Sequence, residues 1–112
     1  FACKVSGAKL ILVMGHEHCG AVKAAVDDVQ LGNITPMLAK IKPAVAMVAY
    51  DGERNAQNEE FVHMVCESNV KRTMQQIRTN SPILKEMEDN NEIKVLGAIY
   101  DMDQGKVTFL DE

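Results

Sequence analysis

The sequence lacks several features that mark common functional classes. It contains no tryptophan and only three phenylalanines and two tyrosines. Proteins that stack nucleic-acid bases rely on aromatic side chains, so a base-stacking surface is not expected. It has no apolar run of about 18 residues, the length that crosses a bilayer. Lysine and arginine form no cluster that would bind a polyanion, and the net charge is −4. We therefore expect neither nucleic acid nor a membrane as a partner.

Cysteine is scarce and unevenly placed. The three cysteines, Cys3, Cys19 and Cys66, are far apart and odd in number, which argues against a disulfide framework. Free thiols are typical of a reducing compartment, so the cytoplasm is the expected location. The sequence opens at Phe1 without an initiator methionine. We therefore expect a piece of a longer protein, which leaves a periplasmic location open.

The apolar pattern predicts strands at both ends of a helical middle. Apolar runs at residues 9–14 and 93–100 are typical of strands buried on both faces. Helical spacing predicts helices over 21–31, 35–48, 56–79 and 83–88, with a kink or a break at Pro43. Residues 1–5 resemble the end of a helix. Residues 106–110 alternate after a turn and predict an edge strand.

This order of elements predicts an α/β fold. Two buried strands joined by helices form a parallel pair with a crossover. We expect a partial parallel sheet flanked by helices, with a C-terminal edge strand, in a single partial domain over residues 1–112. Because two or three strands make a thin sheet for residues this apolar, further strands should come from upstream sequence or from a partner subunit.

A polar cluster follows the first strand directly. It consists of Gly15, His16, Glu17, His18, Cys19 and Gly20. The cluster lies at the carboxyl end of a strand and at the start of a helix, where open α/β sheets bind ligands. An imidazole and a thiolate three residues apart are good zinc ligands, although a stable site needs three or four. His16 and Cys19 are therefore candidate ligands for Zn²⁺.

Other interpretations of the cluster stay open. Cys19 could be a buried thiol beside a helix-capping histidine, and His18 could bind metal in place of His16, carry protons or be an exposed loop residue. Cys3, Cys66, His63 or a carboxylate could complete a site. Cys66 lies on the apolar stripe of the long helix, so packing explains it more simply, and His63 lies off that stripe and is expected in solvent.

A phosphate-binding loop is a weaker alternative. Gly15 and Gly20 have the spacing of such a loop, but the lysine and hydroxyl residue that it needs after the second glycine are replaced by Ala21 and Val22. Glu17 would also repel a phosphate. Nucleotide binding is therefore disfavoured.

The segment over residues 15–22 resembles the G-H-x-x-C-G-A segment of the β-class carbonic anhydrases. The resemblance continues in matching order through Asn69-Val70, Ser81-Pro82, residues 97–101 and residues 105–107. It spans nearly the whole chain and implies the second half of a β-carbonic-anhydrase-like fold. No single segment is specific, but the combination is.

The resemblance implies a zinc enzyme that interconverts carbon dioxide and bicarbonate, with His16 and Cys19 as zinc ligands. Zinc lowers the pKa of a bound water toward ~7, which gives a hydroxide that attacks carbon dioxide. The family also forms homodimers and larger homo-oligomers, so self-association is expected.

One family motif is missing. The remaining zinc thiolate of the family belongs to a C-x-D-S-R motif several dozen residues before the histidine, whereas fifteen residues precede His16 here. Cys3 is not that cysteine, because Lys4, Val5 and Ser6 follow it. We therefore expect this chain to carry part of the zinc site and to be inactive alone. The alternative is a catalytically inactive carbonic-anhydrase-like module for binding or assembly.

Overall fold

The computed structural model describes residues 1–110. These residues form β1 Leu10–His16, α1 Gly20–Val26, α2 Ile34–Leu38, α3 Lys42–Ala46, α4 Glu59–Asn80, α5 Pro82–Asp89, β2 Lys94–Asp101 and β3 Lys106–Leu110. None of the helices in this part of the chain has both the length and the apolar character needed to cross a bilayer.

The three strands form one sheet in the order β1-β2-β3. β1 and β2 are parallel, with Leu10 opposite Lys94 and His16 opposite Tyr100, and all five helices lie in the connection between them. β2 and β3 are antiparallel, with Ala98 opposite Phe109. The predicted α/β class, the parallel pair and the C-terminal edge strand are therefore confirmed.

Helix α4 covers one face of the sheet. The side chain of Asn58, the residue just before the helix, caps α4 by accepting a hydrogen bond from the Phe61 N–H. The buried residues of the interface between α4 and the sheet are Cys66, Val70, Met74, Val95 and Ile99. The apolar stripe predicted for the long helix is confirmed, and it holds the sheet against the helix.

Two glycines allow α4 to approach the sheet closely. A Cβ atom on Gly15 would lie 2.8 Å from Cys66 Sγ, and one on Gly97 would lie 2.7 Å from Met74 Sδ. Real Cβ atoms do not come so near, because dispersion contact gives way to repulsion at these distances. Close packing against α4 is therefore enough to explain why residue 15 is a glycine, and a phosphate-binding loop is not needed to explain it.

The opposite face of the sheet stays open in the described residues. Leu10, Leu12 and Met14 are 51%, 42% and 51% exposed, and Phe109 on β3 is 60% exposed. Within the described residues the first strand is therefore covered on one face, and its predicted burial on both faces depends on the further elements expected from upstream sequence or a partner subunit. The reason is that α4 covers one face only, and β1 has a neighbouring strand along only one edge.

Several helix ends differ from the sequence pattern. α1 ends at Val26, five residues short of the prediction, since Asp28 adopts a left-handed φ of 56°. The region around Pro43 is split into α2 and α3, with the proline in the first turn of α3, as expected from its missing N–H. Residues 1–5 form a turn, closed by the Val5 N–H donating to the Phe1 carbonyl at 2.9 Å, and not the end of a helix.

Candidate metal centre

The backbone fixes the segment from His16 to Cys19 at both ends. His16 is the last residue of β1, and the next N–H, that of Glu17, donates to the Tyr100 carbonyl at 3.0 Å. Cys19 is the N-cap of α1, and its carbonyl accepts the first helical hydrogen bond, from Lys23 at 3.0 Å. The two candidate ligands therefore stand at the two ends of a short, anchored turn.

The structure brings His16 and Cys19 to the wall of one cavity of about 290 Å³. The other residues that line it come from β1, α1 and α4, and are Val13, Met14, Gly15, Val22, Cys66, Asn69, Val70 and Thr73. Most of them are apolar, and the polar groups of Asn69 and Thr73 stand on one helix, α4. The cavity thus combines an apolar wall with one nitrogen ligand candidate, His16, and one sulfur ligand candidate, Cys19.

One nitrogen of the His16 ring has a backbone partner. Its Nδ1 lies 2.9 Å from the Glu17 carbonyl oxygen, which can only accept, so Nδ1 carries the proton of the neutral ring. Nε2 then carries the lone pair. Histidine ligands of metals are commonly oriented by such a bond from their other nitrogen. Together with the Cys19 thiol, this donor set fits zinc.

Two donors are fewer than a zinc site needs. Within residues 1–110, no group of three or more His, Cys, Asp or Glu side chains is arranged to hold a metal ion. Cys3 is excluded as the third ligand because it packs with Met87 and Ile93, next to the start of β2. The candidate site lies at the other end of the parallel strands, which span about 20 Å.

Cys66 reaches the same cavity but behaves as a packing residue. It is 4% exposed, and its Sγ donates to the His16 carbonyl at 3.6 Å. Burial, with smaller contributions from the nearby Cys19 and Glu17, raises the pKa of the Cys66 thiol to about 11. At neutral pH Cys66 is a neutral thiol that supports the end of β1, in agreement with the interpretation from the sequence.

His18 lies on the same turn but outside the wall of the cavity. It has a φ of 58°, in the left-handed region, and its Nε2 lies 3.1 Å from Asp103 Oδ2 in the turn between β2 and β3. That contact directs the imidazole toward the hairpin. His16 is therefore the better placed of the two candidate histidines.

His63 lies off the buried stripe of α4 with 42% of its side chain exposed, as predicted, and it also has two carboxylate neighbours. Its Nδ1 lies 2.7 Å from Glu17 Oε1, and its Nε2 lies 3.1 Å from Glu67 Oε1. The spacing of four residues between His63 and Glu67 is a signal that could have indicated the second contact. The contact with Glu17 joins residues 46 apart, and local sequence patterns carry no signal for it.

Comparison with known proteins gives a consistent result. The family model described as "Carbonic anhydrase" matches residues 1–107. Carbonic anhydrase 2 of Mycobacterium tuberculosis is 27% identical, over 99% of this chain and 53% of that protein. The chain thus spans about half the length of the curated relatives it matches.

Solved structures agree with the match in sequence. The β-carbonic anhydrase CafA of Aspergillus fumigatus is 26% identical, with a TM-score of 0.79, over 99% of this chain and 52% of that one. A tetrameric β-carbonic anhydrase of Sordaria macrospora is 20% identical with the same TM-score of 0.79, over 99% of this chain and 56% of that one, and shows the likeness of fold.

Proposed function

The chain belongs to the β-carbonic anhydrase family, and we propose that it serves the zinc-dependent, reversible hydration of carbon dioxide to bicarbonate. In this proposal His16 and Cys19 are two of the zinc ligands. The observation that carries it is their meeting at one cavity, with Nδ1 of His16 held by the Glu17 carbonyl so that Nε2 stays available. The other ligand positions belong to donors outside residues 1–110 and to water.

The cavity suits the reaction in two ways. Zinc, when bound, supplies a nucleophile at neutral pH by lowering the pKa of water. The side chains of Val13, Val22 and Val70 give an apolar wall next to the ligands, and an uncharged molecule such as carbon dioxide is easily accommodated there. The Asn69 amide on the same wall offers a hydrogen-bond donor to a charged bicarbonate, whereas the Thr73 hydroxyl already donates to the Asn69 carbonyl at 2.8 Å.

The test is carbon dioxide hydration by the full-length protein, followed by stopped-flow with a pH indicator. We expect His16→Ala and Cys19→Ser each to lower the rate by more than about 100-fold, because even outer contacts of a metal site are worth 10–100-fold. His18→Ala is the matched control two positions away, and it should stay near the parent rate. A full-length protein that binds no zinc and hydrates no carbon dioxide overturns the proposal.

We further propose that the 112-residue chain alone has little or no activity, because the described residues provide two metal donors. The measurement is the same assay on the chain as printed. A hydration rate from these 112 residues that His16→Ala abolishes would contradict this part of the proposal.

The second candidate is a carbonic-anhydrase-like module for binding or assembly without catalysis. The observation that favours it is the open apolar face of the sheet, where Leu12 and Met14 of β1 stand 42% and 51% exposed. Under either candidate we propose that the protein forms a homodimer or a larger homo-oligomer. Analytical ultracentrifugation of the full-length protein tests self-association, and zinc content together with hydration rate separates the two candidates.

A further inference from the structure

Glu17 connects the candidate site to helix α4 by its side chain. Its Oε1 lies 2.7 Å from His63 Nδ1, and the opposite ring nitrogen of His63 lies 3.1 Å from Glu67 Oε1, one helical turn further along α4. Carboxylates only accept and a neutral imidazole has one N–H, so the neutral ring donates to one of the two carboxylates, and only the protonated ring donates to both. The imidazole thus lies between two carboxylates and presents Nδ1 to the turn.

The same residue also controls the orientation of His16. The Glu17 carbonyl accepts from His16 Nδ1 at 2.9 Å, and the Glu17 N–H donates to the Tyr100 carbonyl at 3.0 Å. The carboxylate, the carbonyl and the N–H of one residue therefore make three separate contacts. If the carboxylate lost its partner on α4, rotation of the Glu17 backbone would also move the carbonyl that orients His16.

We propose that His63 is a positioning residue for the metal site, resting on the proposed zinc function. By holding the Glu17 carboxylate, it keeps the turn of residues 16–19 in the conformation in which His16 and Cys19 share one cavity. Glu67 supports His63 from its other nitrogen and fixes the direction of the ring. This is the way in which groups outside the ligand set preorganise the ligands of a metal.

The turn has a second side-chain contact that serves as an internal comparison. His18 meets Asp103 at 3.1 Å, where the two side chains are 42% and 75% exposed. Glu17 and His63 are closer, at 2.7 Å, and although His63 is 42% exposed like His18, the carboxylate partner Glu17 is only 26% exposed. Exposed pairs contribute little in water. The contact through His63 should therefore determine the order of the turn, and the contact through Asp103 should add little.

The experiment compares two isosteric variants of the full-length protein. In His63→Asn the amide nitrogen takes the place of Nδ1 and keeps the bond to Glu17. In His63→Gln it takes the place of Nε2 and keeps only the bond to Glu67. Asp103→Asn is the control for the other side of the turn. The readouts are amide hydrogen exchange over residues 16–20 without metal, and the affinity for Co²⁺ followed by the absorption of its thiolate complex.

We expect His63→Gln to speed exchange in the turn by about tenfold and to weaken Co²⁺ binding by about tenfold, at the lower end of the cost of lost outer contacts. His63→Asn and Asp103→Asn should stay within about threefold of the parent in both readouts. Rescue by asparagine but not by glutamine distinguishes positioning from a general loss of helix stability.

Equal exchange rates and equal Co²⁺ affinities in His63→Gln and the parent overturn the inference. So does a His63→Asn variant that behaves like His63→Gln. A parent protein that binds no metal contradicts the proposed function instead, and in that case the exchange rates alone decide whether His63 orders the turn.

Discussion

The two faces of the sheet differ sharply, although the same strand supplies both. Toward α4, Ile11 and Val13 of β1 pack on the cluster around Val70 and Met74. On the other face, Leu12 is 42% exposed and Met14 is 51% exposed. Both sets are apolar, so composition alone does not tell them apart. What differs is whether a helix of this chain lies over them.

The comparison also explains how the candidate site is supported. On the covered face, α4 brings Cys66 to the His16 carbonyl and His63 to the Glu17 carboxylate. The other side-chain contact of the turn is the exposed pair of His18 and Asp103, and Asp103 belongs to the connection between β2 and β3 and not to α4. The end of β1 is thus supported mainly from the side of α4, and an element that covers the open face would support it from the other.

The largest effect is expected from truncating the same residue type on the two faces. Met74 is 1% exposed and Met14 is 51% exposed. In the 112-residue chain as a monomer, Met74→Ala should lower the free energy of unfolding by about 2–5 kcal/mol, because it leaves a buried cavity. Met14→Ala should change it by less than about 1 kcal/mol. Urea denaturation followed by circular dichroism measures both.

Equal losses for the two variants would contradict the difference between the faces. The same two variants can also be compared in an assembled form of the protein. If a second subunit or another segment covers the open face, the cost of Met14→Ala rises toward that of Met74→Ala.

An intermediate effect is expected at the close approach of α4. A Cβ atom at Gly97 would lie 2.7 Å from Met74 Sδ and 2.9 Å from the Cγ1 of Val70, whereas one at Gly20 meets nothing within 4 Å. Gly97→Ala should cost about 1–3 kcal/mol by overpacking. Gly20→Ala, at the start of α1, should leave stability unchanged or raise it slightly. Thermal unfolding of the two variants gives the comparison, and a destabilised Gly20→Ala with a neutral Gly97→Ala would reverse it.

The smallest effect is expected away from both faces, where Asp28 accepts hydrogen bonds from Lys42 and Gln30. The hydrogen bond and the charge of Lys42 hold the pKa of Asp28 below its ordinary value. A lowered pKa contributes stability at neutral pH that is lost as the pH falls through the folded-state pKa.

Lys42→Met should therefore raise the pKa of Asp28 toward its ordinary value and leave the melting temperature at pH 7 almost unchanged, since the pair is exposed. Carboxyl carbon shifts in NMR titrations measure this pKa. A large loss of stability at pH 7, or an unshifted pKa, would show that the pair has a different role.

Much of the fold follows from local patterns. The strands, the long helix and the division at Pro43 each have a local signal in periodicity or backbone chemistry. The end of α1 at Val26 was not predicted, because Val29 continues the helical spacing while Asp28 leaves the helix with a φ of 56°. Which face of β1 is open could not be predicted, since burial depends on neighbours that the strand itself does not encode.

In the candidate site, too, some features have a local signal in the sequence and others depend on the tertiary fold. His16 and Cys19 could be predicted as candidate ligands because their spacing and their position after a strand are local properties. The contact between His63 and Glu17 was not predicted, because it arises only when α4 packs beside the end of β1. Residues close in sequence are thus predictable as a group, and contacts that require the tertiary fold are not.

The central claim is that His16 and Cys19 together bind one zinc ion. The most direct measurement is the metal content of the purified full-length protein by mass spectrometry, compared between the parent and a folded Cys19→Ser variant. We expect about one zinc per chain in the parent and almost none in Cys19→Ser. A Cys19→Ser protein that keeps the zinc content of the parent would contradict it.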